Sequence, residues 1–126
     1  MRDPEVRVLV VDDHPAFLRT VECLIAATEG FVVAATATTG DDALAVLRCH
    51  HDIDLVLLDV NLPDRSGVDV ARSYAAAGGT AVVALMSTAE LVDLPDDALG
   101  VGVGGFLPKE QLTMAALRAV WDAAAP

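Results

Sequence analysis

Basic residues are scarce in this chain: eight lysines and arginines stand against nineteen aspartates and glutamates, a formal net charge of -11 at pH 7. Phosphate recognition needs a concentrated basic surface, so these residues are not expected to bind nucleic acid themselves, and any DNA contact has to come from elsewhere. Aromatics make up only 4% of a composition that is 54% hydrophobic, which leaves Val, Leu and Ala to build the core. Such a core suits helices laid over a parallel sheet. Cysteine occurs twice, at Cys23 and Cys49, both within expected helices and without CxxC spacing. That argues against a disulfide framework or zinc ribbon and for a reducing cytoplasm. No apolar run is long enough to span a bilayer, and the opening Met-Arg-Asp-Pro-Glu lacks an apolar signal-peptide core. A soluble protein is expected, and 126 residues suffice for one compact domain, taken here as 1–126.

What is present is organised around Leu55-Val-Leu-Leu-Asp59, four apolar residues running directly into a carboxylate and then an Asn-Leu-Pro-Asp turn. A continuous apolar run bounded by turn residues reads as a central parallel strand covered on both faces. Asp59 then sits at its carboxyl end, where open α/β sheets bind ligands.

The remaining chain repeats the pattern of strand, polar turn and helix. Residues 6–11 form a β-branched run that stops at Asp12-Asp13; Pro15 suits the first helical turn, and Phe17, Val21, Leu24 and Ile25 share one helical face. Gly30 suits a left-handed cap. A second strand is expected over 31–36, followed by a helix capped by Thr39 with Asp42 and running through Arg48. The third strand spans 54–59. Ser66 with Asp69 repeats the capping pattern ahead of the stripe Gly67, Val70, Ala71 and Tyr74, and Gly78-Gly79 stops that helix. Residues 81–86 read as a fourth strand ending in Ser87-Thr88. The glycine-rich segment 91–105 predicts a short, weakly held helix. A fifth strand over 105–109 ends in Lys109, and the last helix places Leu112, Ala116, Ala119, Val120 and Ala123 on one face, with Trp121 off it and partly exposed.

Parallel strands joined by right-handed crossovers present all their carboxyl ends on one side. This gathers Asp12, Asp13, Asp59, Ser87 and Lys109 into one cleft. Carboxylates so close raise one another's pKa unless a cation neutralises them, and all-oxygen ligands suit Mg²⁺. A lysine and a hydroxyl beside them shape the cleft for a phosphoryl group. By contrast, Cys49-His50-His51 reads as a solvated helix end, because adjacent ligands converge poorly on a metal. His14 reads as a rim residue and Cys23 as a small core residue.

In their order and spacing, Val-Val-Asp12-Asp13-His14-Pro15, Leu-Leu-Asp59-Val-Asn-Leu-Pro-Asp-Arg-Ser-Gly67, Ser87 and Phe106-Leu-Pro-Lys109 resemble the receiver domain of two-component response regulators, over essentially the whole chain. The resemblance implies a doubly wound, flavodoxin-like α/β fold, a five-stranded parallel sheet of order 2-1-3-4-5. It implies that Asp59 is the phosphoacceptor, and that Asp13, Asp59 and the backbone carbonyl of Asn61 bind Mg²⁺, with Asp12 helping largely through water. The donor implied is a phosphohistidine on a sensor histidine kinase. Lys109 would neutralise a phosphoryl oxygen, the Ser87 hydroxyl would swing to another, and Phe106 would turn inward. The implied output face, also used for homodimerisation, is the helix between the fourth and fifth strands, the fifth strand and the last helix. Glycines 100, 102 and 104 would ease movement of that helix.

Two departures from the family pattern stand out. Thr88 replaces the usual small residue after the switch hydroxyl and is an alternative switch itself, although Ser87 has the usual spacing to Lys109. Glu110 stands where a proline commonly follows the lysine. That feature, with Asp-Asp-His-Pro, resembles the receivers attached to LuxR-type helix-turn-helix domains, and Ala-Ala-Ala-Pro126 reads as the start of a linker to such a DNA-binding domain. The chain is expected to be a signalling domain and not an enzyme. Its rivals are a phosphorylation-independent interaction module and an aspartyl-phosphate hydrolase, whose DxDx(T/V) pattern is absent after the first strand.

Overall fold

The computed structural model describes residues 5–87 and 104–124. Its strands are β1 (Val6–Val11), β2 (Phe31–Ala37), β3 (Leu55–Asp59), β4 (Val82–Ser87) and β5 (Gly105–Pro108); its helices are α1 (Pro15–Ala27), α2 (Gly40–Cys49), α3 (Gly67–Ala76) and α4 (Met114–Ala124). A single 3-10 turn, Lys109–Gln111, follows β5. The sheet has the order β2-β1-β3-β4-β5, and every pairing is parallel. This is the sheet that the resemblance implies.

Alternating strand residues feed two separate cores. Val8, Val10, Leu55, Leu57, Ala84 and Met86 face Val21 and Ile25 of α1 and Leu117 of α4. Leu9, Val11, Val56, Leu58, Val83 and Leu85 face Ala43 and Leu47 of α2 and Val68, Val70 and Ala71 of α3. All five residues of β3 are buried, as expected of a strand covered on both faces. Each buried Leu or Val contributes roughly 1.5–3 kcal/mol relative to exposure, so the centre of the sheet is its best-held part.

Local chemistry sets the helix starts. Pro15 occupies the first turn of α1; Thr39 accepts from the Asp42 amide ahead of α2; Ser66 accepts from the Asp69 amide ahead of α3. Asp41 and Asp42 in the first turn of α2 and Arg48 in its last complement the helix dipole. Gly30 does adopt a left-handed conformation, φ 88°, but beyond the Thr28 cap, in the turn to β2.

Two expectations need correction. Cys23 is exposed, as is Cys49, because two residues past Val21 lie roughly 200° round a helix, on the side facing water. The buried face of α4 is shifted by one residue: Leu117 is fully buried, Ala116, Val120 and Trp121 pack beside it, and Ala119 and Ala123 are exposed. Burying the larger Leu and Trp outweighs burying alanines. Trp121 is accordingly half-buried against the α1–α4 core. Residues 91–103 of the weak helix, and Thr88, lie outside the described residues. Among those described, no helix is long and apolar enough to cross a membrane.

Candidate functional site

Because all strands are parallel, the residues that end them meet at one edge. Asp12 follows β1, and its amide continues the ladder by donating to the Ala37 carbonyl at 3.1 Å. Its side chain is wholly buried. Oδ1 accepts from the His14 amide at 2.8 Å and lies 3.0 Å from His14 Nδ1; Oδ2 lies 2.6 Å from Lys109 Nζ. Asp13 is partly exposed, with Oδ1 3.2 Å from the same imidazole nitrogen. His14 thus sits on the rim, bridging the acidic pair.

Asp59 ends β3 and is 2% exposed. Its Oδ1 accepts from the Asn61 amide at 3.1 Å, and its Oδ2 lies 3.3 Å from Lys109 Nζ. Burial pushes its carboxyl pKa above the usual carboxylate range, opposed by the Asn61 amide and the Lys109 charge and reinforced by the Asp12 charge. Lys109 begins the turn after β5 and reaches back over the sheet edge, its side chain only 9% exposed. It is the only lysine in the chain. Its ammonium lies 4.5 Å from the centroid of the Phe17 ring, on α1.

Ser87 is fully buried at the end of β4, one residue beyond Met86, the register partner of Asp59. Phe106 pairs with Leu85 and is half-buried against the α2–α3 core. Asn61 lies two residues beyond Asp59 in a loop closed by a bridge from Asn61 to Ser66 and by the Gly67 amide donating to the Val60 carbonyl at 2.7 Å. Gly67 is required there: a Cβ would come within 2.2 Å of the Asp59 carbonyl oxygen. The structure therefore brings Asp12, Asp13, Asp59 and Lys109 together, with Asn61 and Ser87 on adjoining backbone and Phe106 on the neighbouring edge strand.

Sequence reasoning missed two participants. Phe17 reads as a core residue, and Asp64 as a turn residue. Yet the Asp64 carboxylate accepts from the amides of Gly40 and Asp41 at 2.8 and 2.9 Å, fastening the loop after Asp59 to the start of α2. These two hydrogen bonds hold its pKa below the usual range. Arg65 adds an ion pair to Asp41 at 2.7 Å, and its stem crosses so close to Gly40 that a Cβ there would clash with it. A lysine occurring once in an acidic chain is a signal for Lys109; nothing in the spacing points to Phe17 or Asp64.

The residues fit a hard divalent cation. Ligand atoms of Asp12, Asp13, His14 and Asp59 all lie within 4.8 Å of one another. Beyond their ion-pair contacts with Lys109 Nζ and His14 Nδ1, Asp12 Oδ2 and Asp13 Oδ1 are buried without a hydrogen-bond donor among the described residues. One lysine offsets three carboxylates only in part, and oxygen donors of this kind match Mg²⁺ better than a softer metal.

Comparison with known proteins leads to the same place. Residues 8–121 match the response regulator receiver domain family. The nitrate/nitrite response regulator NarP of Escherichia coli is 32% identical over 117 residues, covering 90% of this chain and 54% of NarP. The chain thus spans about half the length of such curated relatives. The receiver domain of NarL from Mycobacterium tuberculosis superposes with a TM-score of 0.87 at 31% identity, over 97% of this chain and 98% of that one. The similarity to NarP and NarL agrees with the LuxR-type resemblance. A CheX–CheY–BeF3–Mg²⁺ complex from Borrelia burgdorferi contains a chain that matches with a TM-score of 0.84 and 27% identity, over 98% of this chain and 92% of that one. With a family match across nearly its whole length and the same parallel sheet, the chain belongs to the response regulator receiver domains.

Proposed function

We propose that this domain accepts a phosphoryl group on Asp59 from a phosphohistidine of a sensor histidine kinase, in a Mg²⁺-dependent reaction. The observation that carries the reading is the convergence of a buried carboxylate, the sole lysine and two further acidic side chains at one sheet edge. An Asp59 carboxylate oxygen forms the new O–P bond as the N–P bond of the donor breaks, and the departing imidazole nitrogen keeps the electron pair. Asp13, Asp59 and the Asn61 carbonyl hold the Mg²⁺, with Asp12 acting mainly through water. Bound there, the ion supplies positive charge to carboxylate and phosphoryl oxygens.

The chain's own residues do the positioning. The Asn61 amide orients Asp59 through Oδ1, and Lys109 sits where it can neutralise a phosphoryl oxygen. Ser87 donates its hydroxyl to another phosphoryl oxygen, and Phe106 moves inward, changing the face formed by β5 and α4. That face serves dimerisation or output, and DNA is reached only through a separate output domain, in a cytoplasmic regulator of transcription.

The test is intact mass after incubation with Mg²⁺ and a small acyl phosphate, run beside Asp59→Asn. A Mg²⁺-dependent phosphoryl increment absent from the variant is the expected result. An increment that persists in Asp59→Asn would overturn the assignment.

A further inference from the structure

Lys109 has an unusual task for a flexible side chain. It starts beyond the edge strand β5 and has to deliver its ammonium across the end of β4 to the carboxylates that follow β1 and β3. An ammonium on a four-carbon stem is strongly hydrated and, left to itself, samples many rotamers directed at water. The two carboxylates attract it from one side. From α1 the ring of Phe17 meets it at 4.5 Å from the centroid, inside the range of a cation–π contact. Phe17 itself is half-buried against the α1–α4 core, so its ring is supported by packing.

These contacts differ in what chemistry does to them. A divalent cation competes with Lys109 for Asp12, and a phosphoryl group on Asp59 changes the charge and position of the other partner. The ring keeps its quadrupole throughout. We infer that Phe17 is a positioning residue, whose ring holds the Lys109 ammonium at the phosphoryl side of the cleft while both of its carboxylate partners change. This rests on the phosphoacceptor reading for its consequence, but the contact is testable without it. Phe17 touches no reacting atom; it acts through Lys109.

The sole lysine makes the test direct, because a chain labelled with ¹³C,¹⁵N-lysine gives one set of lysine side-chain signals. The full domain is compared with Phe17→Leu and Phe17→Tyr, and Phe17→Met replaces Leu if that variant fails to fold. In the wild type, ring current shifts the Lys109 Hε signals upfield of free lysine; Tyr keeps the shift and Leu abolishes it. With Mg²⁺ and acetyl phosphate, Phe17→Leu is phosphorylated about five- to tenfold more slowly and Phe17→Tyr at nearly the wild-type rate. Rescue by Tyr separates the ring's effect from a loss of packing. An unshifted Lys109 signal in the wild type, or Phe17→Leu reacting as fast as wild type, would overturn the proposal. A wild type that takes up no phosphoryl group instead sinks the phosphoacceptor reading, and the lysine signals still decide the contact.

Discussion

Asp12 Oδ2 and Lys109 Nζ lie 2.6 Å apart in a pair that is almost fully enclosed, with Asp12 wholly buried and Lys109 9% exposed. The lysine stands closer to Asp12 than to Asp59, at 3.3 Å, so one cation serves two buried carboxylates. Removing one partner of a buried pair leaves the other charge without compensation, a loss of about 3–5 kcal/mol. Lys109→Ala should therefore be destabilised by about 3 kcal/mol in metal-free buffer, measured by urea unfolding followed through Trp121, and Mg²⁺ should restore more stability to the variant than it adds to the wild type. A loss below about 1 kcal/mol would show the pair to be solvated.

Asp59 yields a pH prediction. Its folded pKa is raised, chiefly by burial, so its contribution is fully present below the unfolded pKa and is lost as pH rises through the folded one. Above that window the ionised carboxylate is a burden on the fold. Asp59→Asn keeps the shape without the charge. The variant should unfold at higher urea concentration than the wild type at pH 7 without Mg²⁺, and the gap should shrink as pH falls towards the ordinary carboxylate range. A gap independent of pH would mean that the charge is not its cause.

Much of this site was legible in the chain because the signals are local. Asp59 after four apolar residues, Pro15 at a helix start, and Thr39 and Ser66 three residues ahead of an aspartate each announce their place through neighbours in sequence. The strand order followed from the resemblance, since periodicity alone does not rank strands across a sheet. What escaped depends on relations between elements. Alanine is almost indifferent to burial, so the alanine-rich α4 left its face uncertain by one residue until Leu117 and Trp121 decided it. Asp64 caps a helix more than twenty residues back, and Phe17 covers a lysine at the far end of the chain; neither relation has a spacing rule.

The loop after Asp59 is fixed by close backbone approach. At position 67 a Cβ would meet the Asp59 carbonyl oxygen at 2.2 Å and the Val60 Cα at 3.0 Å, and neither neighbour is a side chain that can swing away. Gly67→Ala should cost about 1–3 kcal/mol in urea unfolding and slow phosphorylation of Asp59 by displacing its backbone. Wild-type stability and rate in this variant would mean that the loop can relax freely.

Asp64→Ala should act locally. Its carboxylate is the acceptor for the Gly40 and Asp41 amides, so those two should exchange with solvent faster in the variant, while amides in β3 should not. The lowered Asp64 pKa means that this contribution is present above the unfolded pKa and disappears as pH falls through the folded one. Wild type and variant should converge in acid. Equal exchange at neutral pH would show that water caps α2 equally well.

The complete burial of β3 also gives the domain a direction. A strand with no exposed side chain cannot shift without opening cavities towards both helical layers, whereas β5, four residues at the edge with only Leu107 buried, can. On the phosphoacceptor reading, chemistry at Asp59 would act on the least yielding part of the molecule, and a displacement that followed it would emerge more easily at the edge strand β5. The domain would in this sense be a rectifier: a charge written at its stiff centre and read at a softer margin.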